Sequence, residues 1–180
     1  LSKLFKNIDN RKIEKLGQLL TKARNGNKNV FVIGNGGGAV TATAMSNDLG
    51  FDILKKTKKK SFKIVSLTDN NAITTAISND IGFENIFISQ LKTFYSKGDL
   101  LIILSASGNS KNLIKAAQWV KNKKGIVFGI LGFGGGKLIK ICSNSIHIKN
   151  NKGEYGPVED IQLIINHILA HYFQDNLKKS

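Results

Sequence analysis

Cysteine and proline are almost absent from this 180-residue chain, which contains one of each. A single cysteine, Cys142, excludes an internal disulfide and a metal cage made of cysteine thiolates, and this is typical of cytoplasmic proteins. Apolar runs of the roughly 18 to 20 residues that span a bilayer are also missing, and the first residues lack the apolar segment of a signal peptide. The sequence therefore predicts a cytoplasmic protein that does not enter a membrane.

Arginine is the next scarce residue, since Arg11 and Arg24 are the only two in a chain with a net charge of +15. Lysine supplies the rest of the positive charge, in stretches such as Lys55–Lys60. Bidentate recognition of phosphates and bases favours arginine, so nucleic acid is not the expected partner. Most lysines are expected on solvated faces, where a positive field attracts small anionic substrates. A second interpretation of the stretch 55–60 is that it draws phosphate into a cleft.

Short apolar segments typical of buried strands alternate with amphipathic helical segments along the whole chain. The predicted strands are 29–33, 62–67, 100–104, 126–131 and 145–148. The predicted helices are 2–23 with a break near Asp9-Asn10, 40–49, 72–78, 83–95, 111–120 and 158–173. This order predicts a single α/β domain, a three-layer, doubly wound, five-stranded parallel sheet with right-handed crossovers.

Glycine is concentrated after the first predicted strand, in the turn Gly34–Ala39. Gly34, Gly36 and Ala39 fit the G-x-G-x-x-G/A pattern of dinucleotide-binding turns. The acidic residue expected about 20 residues later is absent, because the nearest candidate, Asp69, is too far along the chain. A dinucleotide-binding enzyme is therefore one alternative, and a turn that binds a simpler phosphate is the other.

A second turn of small residues, 105–110, follows the third predicted strand. A strand, a short turn and a helix form an anion site, since the first N–H groups of the helix have no internal partner and the macrodipole favours negative charge. Ser105, Ser107 and Ser110 add hydroxyl donors of little bulk. The alternative is that Ser110 only caps the helix and the other serines fill the turn. Because both turns lie at one edge of a parallel sheet, a single sugar phosphate could contact both.

The turns 34–38 and 105–110, together with Leu131–Gly136, resemble the sugar isomerase (SIS) domain, and the chain is most similar to its phosphoheptose isomerase branch. The likeness covers nearly the whole chain, including Ser78–Phe83 and the last helix. It implies a flavodoxin-like fold, a homotetramer in which the N-terminal helix 1–25 packs, and substrate sites at subunit interfaces. It also implies a phosphorylated sugar as substrate and heptose supply for lipopolysaccharide or capsule.

The resemblance also implies roles for individual residues. The phosphate-binding serines of the family correspond to Ser105, Ser107 and Ser110. Its sugar-site Asn corresponds to Asn35, and its substrate-facing acid corresponds to Asp80. We expect neighbouring residues of the two turns to complete the substrate site, namely Gly36, Gly37 and Asn109.

The catalytic positions differ from those of the family. The family has a His and a Glu on the helix after the glycine turn, and a Gln and a His on the last helix, and these four hold zinc. The corresponding residues here are Ala44, Asp48, Glu159 and His167. One zinc ligand is therefore lost. The resemblance leaves Asp48, Glu159 and His167 as three ligands for zinc, with a position open to substrate.

Interconversion of a ketose and an aldose needs a base beside the carbonyl and an acid for its oxygen. Asp48 and Glu159 are the candidate bases and His167 is the candidate acid, acting through an enediol. Helical geometry places Glu159 and His167 about 80° apart in projection and about 12 Å apart along the axis, with Gln162 and Asn166 on the face of Glu159. The alternatives are that His167 is a core or interface histidine and that Glu159 stabilises a helix N-terminus.

A phosphosugar isomerase is the predicted function. The first alternative is a catalytically silent SIS protein that binds a sugar phosphate or a protein partner as a regulator, which the replacement at Ala44 favours. The second alternative is the dinucleotide-binding enzyme, which predicts that the protein binds a nicotinamide or flavin cofactor.

Overall fold

A five-stranded parallel sheet lies at the centre of the computed structural model, which describes residues 1–179. The strands are β1 (Asn29–Gly34), β2 (Lys63–Ser66), β3 (Leu100–Ser105), β4 (Ile126–Gly132) and β5 (Asn144–Ile148). Their order is β2-β1-β3-β4-β5, and every neighbouring pair is parallel. This is the flavodoxin-like order of a doubly wound sheet, which differs from the 3-2-1-4-5-6 order of dinucleotide-binding domains. The predicted fold class is confirmed.

Helices cover both faces of the sheet and follow the predicted segments. They are α1 (Ser2–Lys6), α2 (Asn10–Asn25), α3 (Gly37–Met45), α4 (Ile53–Thr57), α5 (Asn71–Ile81), α6 (Ile86–Phe94), α7 (Lys111–Asn122), α8 (Leu138–Ile141) and α9 (Tyr155–Lys179). A π-helical segment, Ser46–Asp52, joins α3 to α4, and a 3₁₀ turn, Phe83–Asn85, precedes α6. Within residues 1–179, none of the helices is both long and apolar enough to cross a membrane.

Alternate side chains of the central strands enter two separate apolar cores. Val32 and Ile102 pack on one face with α2, α3 and α9, and Ile33 and Ile103 pack on the other with α6 and α7. All four are fully buried. Burial on both faces explains why the strands are continuous apolar runs rather than alternating ones, and it gives the three layers that the sequence predicts.

The amphipathic N-terminal segment is divided near Asp9, as predicted. Asp9 caps α2 by accepting a hydrogen bond from the Arg11 N–H at 3.1 Å, and a hydrogen bond from the Arg11 side chain lowers the pKa of the Asp9 carboxyl. Leu16 and Leu20 bury the apolar face of α2 in the first core. This helix therefore packs on its own sheet, and a further role in an oligomer stays a prediction.

The helix after the glycine turn is longer than predicted and is not uniform. The predicted segment 40–49 lies inside a helical stretch that runs from the start of α3 to the end of α4, with π geometry at Ser46–Asp52. Such segments are rare in proteins and are frequent at functional sites. This one carries Asp48, and the next residue, Leu49, is buried in the first core.

The amino-terminal edge of the sheet, formed by the loops that precede the strands, is strongly basic. In the described chain the one acidic residue of these loops is Asp99, which is buried and accepts a hydrogen bond from the Asn29 N–H. The lysines of this basic edge are Lys28, Lys58, Lys59, Lys60, Lys97, Lys123 and Lys124. The loop after α4, which contains Lys58, Lys59 and Lys60 of the lysine-rich stretch, thus lies at the edge opposite the glycine and serine turns. Attraction of phosphate by this stretch stays a prediction.

Candidate active site

The carboxyl ends of β1 and β3 lie side by side, at the point where the strand order reverses and doubly wound folds bind ligands. The glycine turn after β1 leads into α3 there, with Gly36 at a φ of 54°. A positive φ is accessible to glycine without steric cost. The turn therefore brings the amino-terminal end of α3 to this edge of the sheet.

The serine turn after β3 (residues 105–110, the serine loop) leaves its hydroxyl protons free. Ser105 Oγ accepts a hydrogen bond from a backbone N–H of the loop at 3.0 Å, and Ser107 Oγ accepts another at 3.2 Å. Ser110 is the N-cap residue of α7, yet its side chain makes no capping hydrogen bond in the described chain. A serine hydroxyl that accepts a hydrogen bond still has its own proton to donate. The loop therefore presents three hydroxyl donors at the start of α7.

A third loop, residues 133–137 after β4, packs against the serine loop. A side chain on Gly108 would overlap the backbone of the third loop, and one on Gly136 would overlap the backbone of the serine loop. Asn109 links the two loops, since its Oδ1 accepts from the Lys137 N–H at 3.1 Å and its Nδ2 donates to a serine-loop carbonyl at 3.0 Å. The amide of Asn109, a predicted substrate residue, thus shapes the loop.

Asn35, the predicted sugar-site residue, pairs with a residue that the sequence did not single out. Its Nδ2 donates to Asn112 Oδ1 at 3.0 Å, and Asn112 Nδ2 donates back to Asn35 Oδ1 at 2.9 Å. Asn112 lies on the first turn of α7 and is 2% exposed. The reciprocal pair joins the glycine turn to the start of α7. The sequence signal that could have indicated Asn112 is its position, because it is a polar residue on the face of α7 that packs on the sheet.

A cavity of about 90 Å³ lies between the two turns and the start of α9. It brings together four of the eight predicted substrate residues, Asn35 and the three serines, with Glu159. Its lining is Asn35, Gly38, Leu104, Ser105, Ala106, Ser107, Ser110, Leu113, Tyr155, Glu159 and Gln162. The predicted phosphate-binding serines therefore share one space with one of the predicted bases.

Two side chains of α9 give this cavity its polar character beside the serine loop. The Glu159 carboxylate lies against the Cα of Gly37, where any side chain would overlap it. Gln162 is 1% exposed and donates from Nε2 to the Ile130 carbonyl at 2.8 Å, while its Oε1 has no partner within residues 1–179. Because the amide NH₂ is used by a carbonyl, Gln162 offers an acceptor to neighbouring groups.

The side chain of Asp48, from the π segment, lies beside His167, which is about two turns of α9 after Glu159. Asp48 Oδ2 accepts a hydrogen bond from Asn166 Nδ2 at 2.6 Å, and His167 Nε2 lies 3.8 Å from the same oxygen. The side chain of Asp48 is 18% exposed and that of His167 is 55% exposed. Asp48, a predicted base, and His167, the predicted acid, therefore lie side by side in the structure. Asn166 is a further partner of Asp48, a contact that the sequence did not indicate.

Zinc is the cofactor that the resemblance implies at Asp48, Glu159 and His167. Among residues 1–179, no three His, Cys, Asp or Glu side chains lie together in a way that could hold a metal ion. Glu159 lines the serine-loop cavity, about 12 Å along α9 from His167. This separation keeps the expected ligands apart, so the side chains of one chain do not fit the expected zinc site.

Asp80 lies outside the cavity. It is exposed near the end of α5, where its Oδ1 accepts a hydrogen bond from Asn79 Nδ2 at 2.9 Å. His147, which the sequence predicts to be structural, has its Nε2 2.8 Å from the Phe133 carbonyl. One chain thus supplies the serine loop, the glycine turn and the residues of α9, while Asp80 faces solvent.

Known proteins resemble this chain in both sequence and fold. The sequence profile of the SIS domain matches residues 1–132. The chain is 32% identical to the phosphoheptose isomerase of Rhodospirillum rubrum, over 91% of this chain and 85% of that protein. It is 33% identical to the phosphoheptose isomerase of Aneurinibacillus thermoaerophilus, over 85% and 77%. Its fold is similar to that of a phosphoheptose isomerase from Francisella tularensis, with a TM-score of 0.84 and 22% identity over 95% of this chain and 89% of that one.

Proposed function

The chain belongs to the SIS domain family, among the phosphoheptose isomerases, and we propose that it interconverts the ketose and aldose forms of a phosphorylated sugar. Sedoheptulose 7-phosphate is the proposed substrate, and an enediol is the proposed intermediate. One observation carries the proposal, namely that α9 contributes to both parts of the site. Its residue Glu159 lines the cavity with the serine hydroxyls, and its residue His167 forms an acid–base pair with Asp48.

In this proposal the serine loop binds the phosphate. Its hydroxyls and the first N–H groups of α7 donate to the phosphate oxygens, and the macrodipole of α7 favours their charge. The cavity of about 90 Å³ is much smaller than ligand pockets of about 300–1,000 Å³, so it suits the phosphate group alone. The sugar carbons extend out of it along α9, over the distance of about 12 Å between Glu159 and His167. This distance favours a long, open-chain sugar.

The Asp48–His167 pair carries out the proton transfers. Asp48 takes the proton from the carbon next to the carbonyl, and His167 donates a proton to the carbonyl oxygen, which gives the enediol. Asp48 then gives this proton to the former carbonyl carbon. His167 takes the proton of the hydroxyl on the adjacent carbon, which becomes the new carbonyl. The 3.8 Å between His167 Nε2 and Asp48 Oδ2 is too long for a hydrogen bond, which leaves both groups available to adjacent substrate atoms. Glu159, nearer the phosphate, orients the sugar hydroxyls.

A homotetramer with sites at its interfaces belongs to the same proposal. Large apolar side chains are exposed on helices near the site, namely Val40 at 68%, Phe51 at 59% and Tyr172 at 57%. Protein interfaces are typically built on contiguous apolar surface, and these side chains are the ones we assign to the interface. Asp80, which faces solvent in one chain, would contact the sugar bound by a neighbouring copy.

Proton NMR in heavy water tests the proposed reaction. The protein is incubated with sedoheptulose 7-phosphate, with and without added zinc, and the carbon-bound protons are followed over time. An enediol exchanges a carbon-bound proton with solvent, so we expect deuterium incorporation and the appearance of the aldose. Exchange without the aldose would show that the base forms the enediol of this sugar and that sedoheptulose 7-phosphate is the wrong substrate for complete isomerisation. Absence of both would contradict the isomerase.

His167→Ala tests the assignment of the acid. General acid–base groups contribute about 10²- to 10⁴-fold to rates, so we expect turnover to fall at least about 100-fold. The sugar phosphate should still raise the melting temperature, because the serine loop is unchanged. His171→Ala, at an exposed position one turn later on α9, is the matched control. Unchanged turnover in His167→Ala would remove this residue from the mechanism.

A catalytically silent sugar-phosphate sensor is the second candidate function, and one observation favours it. The serine-loop cavity is formed within one chain, whereas the three expected zinc ligands do not form one group within residues 1–179, since Glu159 lies apart from Asp48 and His167. This candidate predicts that sedoheptulose 7-phosphate raises the melting temperature without any exchange of carbon-bound protons. A protein that neither binds the sugar phosphate nor exchanges protons would contradict both candidates.

A further inference from the structure

Asn166 is a fully buried amide in the middle of α9, and we propose that it is a positioning residue that holds the Asp48 carboxylate in the orientation needed for proton abstraction. The inference rests on the proposed isomerase function. Its central observation is the hydrogen bond of 2.6 Å from Asn166 Nδ2 to Asp48 Oδ2. The two residues are 118 positions apart in the chain, so the contact depends on the packing of α9 against the π segment.

The carboxylate of Asp48 is held by an amide on each oxygen. Oδ1 accepts a hydrogen bond from Asn47 Nδ2 at 3.0 Å, and Oδ2 accepts the one from Asn166. Asn47 is exposed and is the adjacent residue, whereas Asn166 is 0% exposed and belongs to another element. The buried donor from α9 is therefore the rigid one. Together the two donors fix the rotation of the carboxylate plane, which a short side chain does not fix by itself.

The orientation of the Asn166 amide is set by Asp48 and not by its other surroundings. Asn166 Oδ1 is buried and has no hydrogen-bond donor within residues 1–179. Rotation of the amide by 180° would direct this carbonyl at the carboxylate, and two acceptors would then face each other. A buried acceptor without a donor destabilises a fold. The amide therefore satisfies the Asp48 carboxylate and leaves its own carbonyl without a donor. Such a loss of stability is expected at a residue that is kept for its function.

Asn166 is also the hydrogen-bond donor to the oxygen of Asp48 that lies nearest to His167. His167 follows it on α9, and its Nε2 lies 3.8 Å from Asp48 Oδ2, beyond hydrogen-bond distance. Because Asn166 already donates to this oxygen, His167 is not needed as its partner. The imidazole thus keeps an unengaged nitrogen at an exposed position, where the carbonyl oxygen of a sugar can reach it.

Asn166→Leu is the primary test, because leucine has a similar size and removes both the donor and the unpaired carbonyl. We expect the turnover number for sedoheptulose 7-phosphate to fall about 10- to 100-fold, the range for a small misplacement of reacting groups. We expect KM and the melting temperature to be retained, since the serine loop and the packing are unchanged. Gln174→Leu, another buried amide of α9 away from the site, is the matched control and should keep full turnover.

The exchanged pair Asp48→Asn with Asn166→Asp keeps the proposal testable if a single variant folds poorly. Asn166→Asp alone places two carboxylates together and should lower the melting temperature. The exchanged pair restores an amide-to-carboxylate hydrogen bond, so we expect the melting temperature to recover while proton exchange stays at least about 100-fold below wild type, as for a lost general base. Recovery of exchange in this pair would overturn the positioning role.

The wild-type protein separates failure of this inference from failure of the proposed function. If wild type does not exchange protons of sedoheptulose 7-phosphate, the isomerase proposal fails and Asn166 has no carboxylate to position for catalysis. If wild type exchanges and Asn166→Leu keeps more than half of its turnover number, the isomerase stands and the inference about Asn166 is wrong. A rise in KM alone would also overturn it, because positioning of the base acts on turnover.

Discussion

Gly37, the first residue of α3, has the Glu159 carboxylate against its backbone. A methyl group there would overlap the carboxylate, and the long Glu side chain would move away. Alanine restricts the unfolded chain more than glycine does, which offsets the movement of the Glu159 side chain, so we expect Gly37→Ala to keep its melting temperature. We expect turnover to fall about tenfold or more, because a displacement of about 1 Å can cost up to 100-fold. Exchange rates by NMR and thermal melting measure the two effects.

Gly134→Ala is the matched control for this substitution. A side chain at Gly134 would meet no other atom within 4 Å, so neither turnover nor melting temperature should change. Full turnover in Gly37→Ala would show that the position of Glu159 does not matter for the reaction.

Single residues were predicted from the sequence where their spacing along the chain carried the signal. The serines of the serine loop follow a strand and precede a helix, so their convergence with Asn35 followed from the parallel sheet. The partners Asn112 and Asn166 did not follow, because they contact residues 77 and 118 positions away. Such contacts depend on how two helices pack on the same sheet, which local patterns do not encode.

The reciprocal pair Asn35–Asn112 couples two elements, the turn after β1 and the start of α7. Asn112→Ala leaves the Asn35 amide and the Leu113 N–H without their partner, so we expect a loss of about 1–3 kcal/mol in the free energy of unfolding. The double variant with Asn35→Ala should cost less than the sum of the two single changes, as for residues that interact directly. Urea denaturation measures all three variants, and strictly additive losses would contradict the coupling.

The order and type of the elements were predicted from periodicity, but the bounds of several helices and the geometry of two were not. The last helix, predicted over 158–173, covers Tyr155–Lys179, and the predicted helix 83–95 begins with the 3₁₀ turn Phe83–Asn85. The predicted helix 40–49 extends to the end of α4 and contains the π segment. A pattern of apolar residues does not distinguish π from α geometry over seven residues, because this segment has a single buried residue, Leu49, and one position defines no spacing. The π geometry of the segment that carries Asp48 is therefore known from the structure and not from the sequence.

The packing of the molecule partly buries Cys142, which lies at the end of α8 with its Sγ beside Gly129 of β4. Burial raises the pKa of its thiol to about 12, from an ordinary value of 9.0. A raised pKa in the folded state means stability that is complete below pH 9 and is lost as the pH rises towards 12. We expect the melting temperature of wild type to fall more steeply between pH 9 and pH 11 than that of Cys142→Ser. Equal slopes would contradict burial of the thiol.

The basic edge of the sheet gives the molecule an orientation on charged supports. On a sulfonated resin or a mica surface, attraction is strongest for this edge, so the protein is expected to adsorb with the starts of its strands against the support. The serine loop then points to the solution, and the enzyme remains open to sugar phosphate without chemical coupling. Salt releases it, since at 0.1 M ionic strength charges are screened beyond about 10 Å.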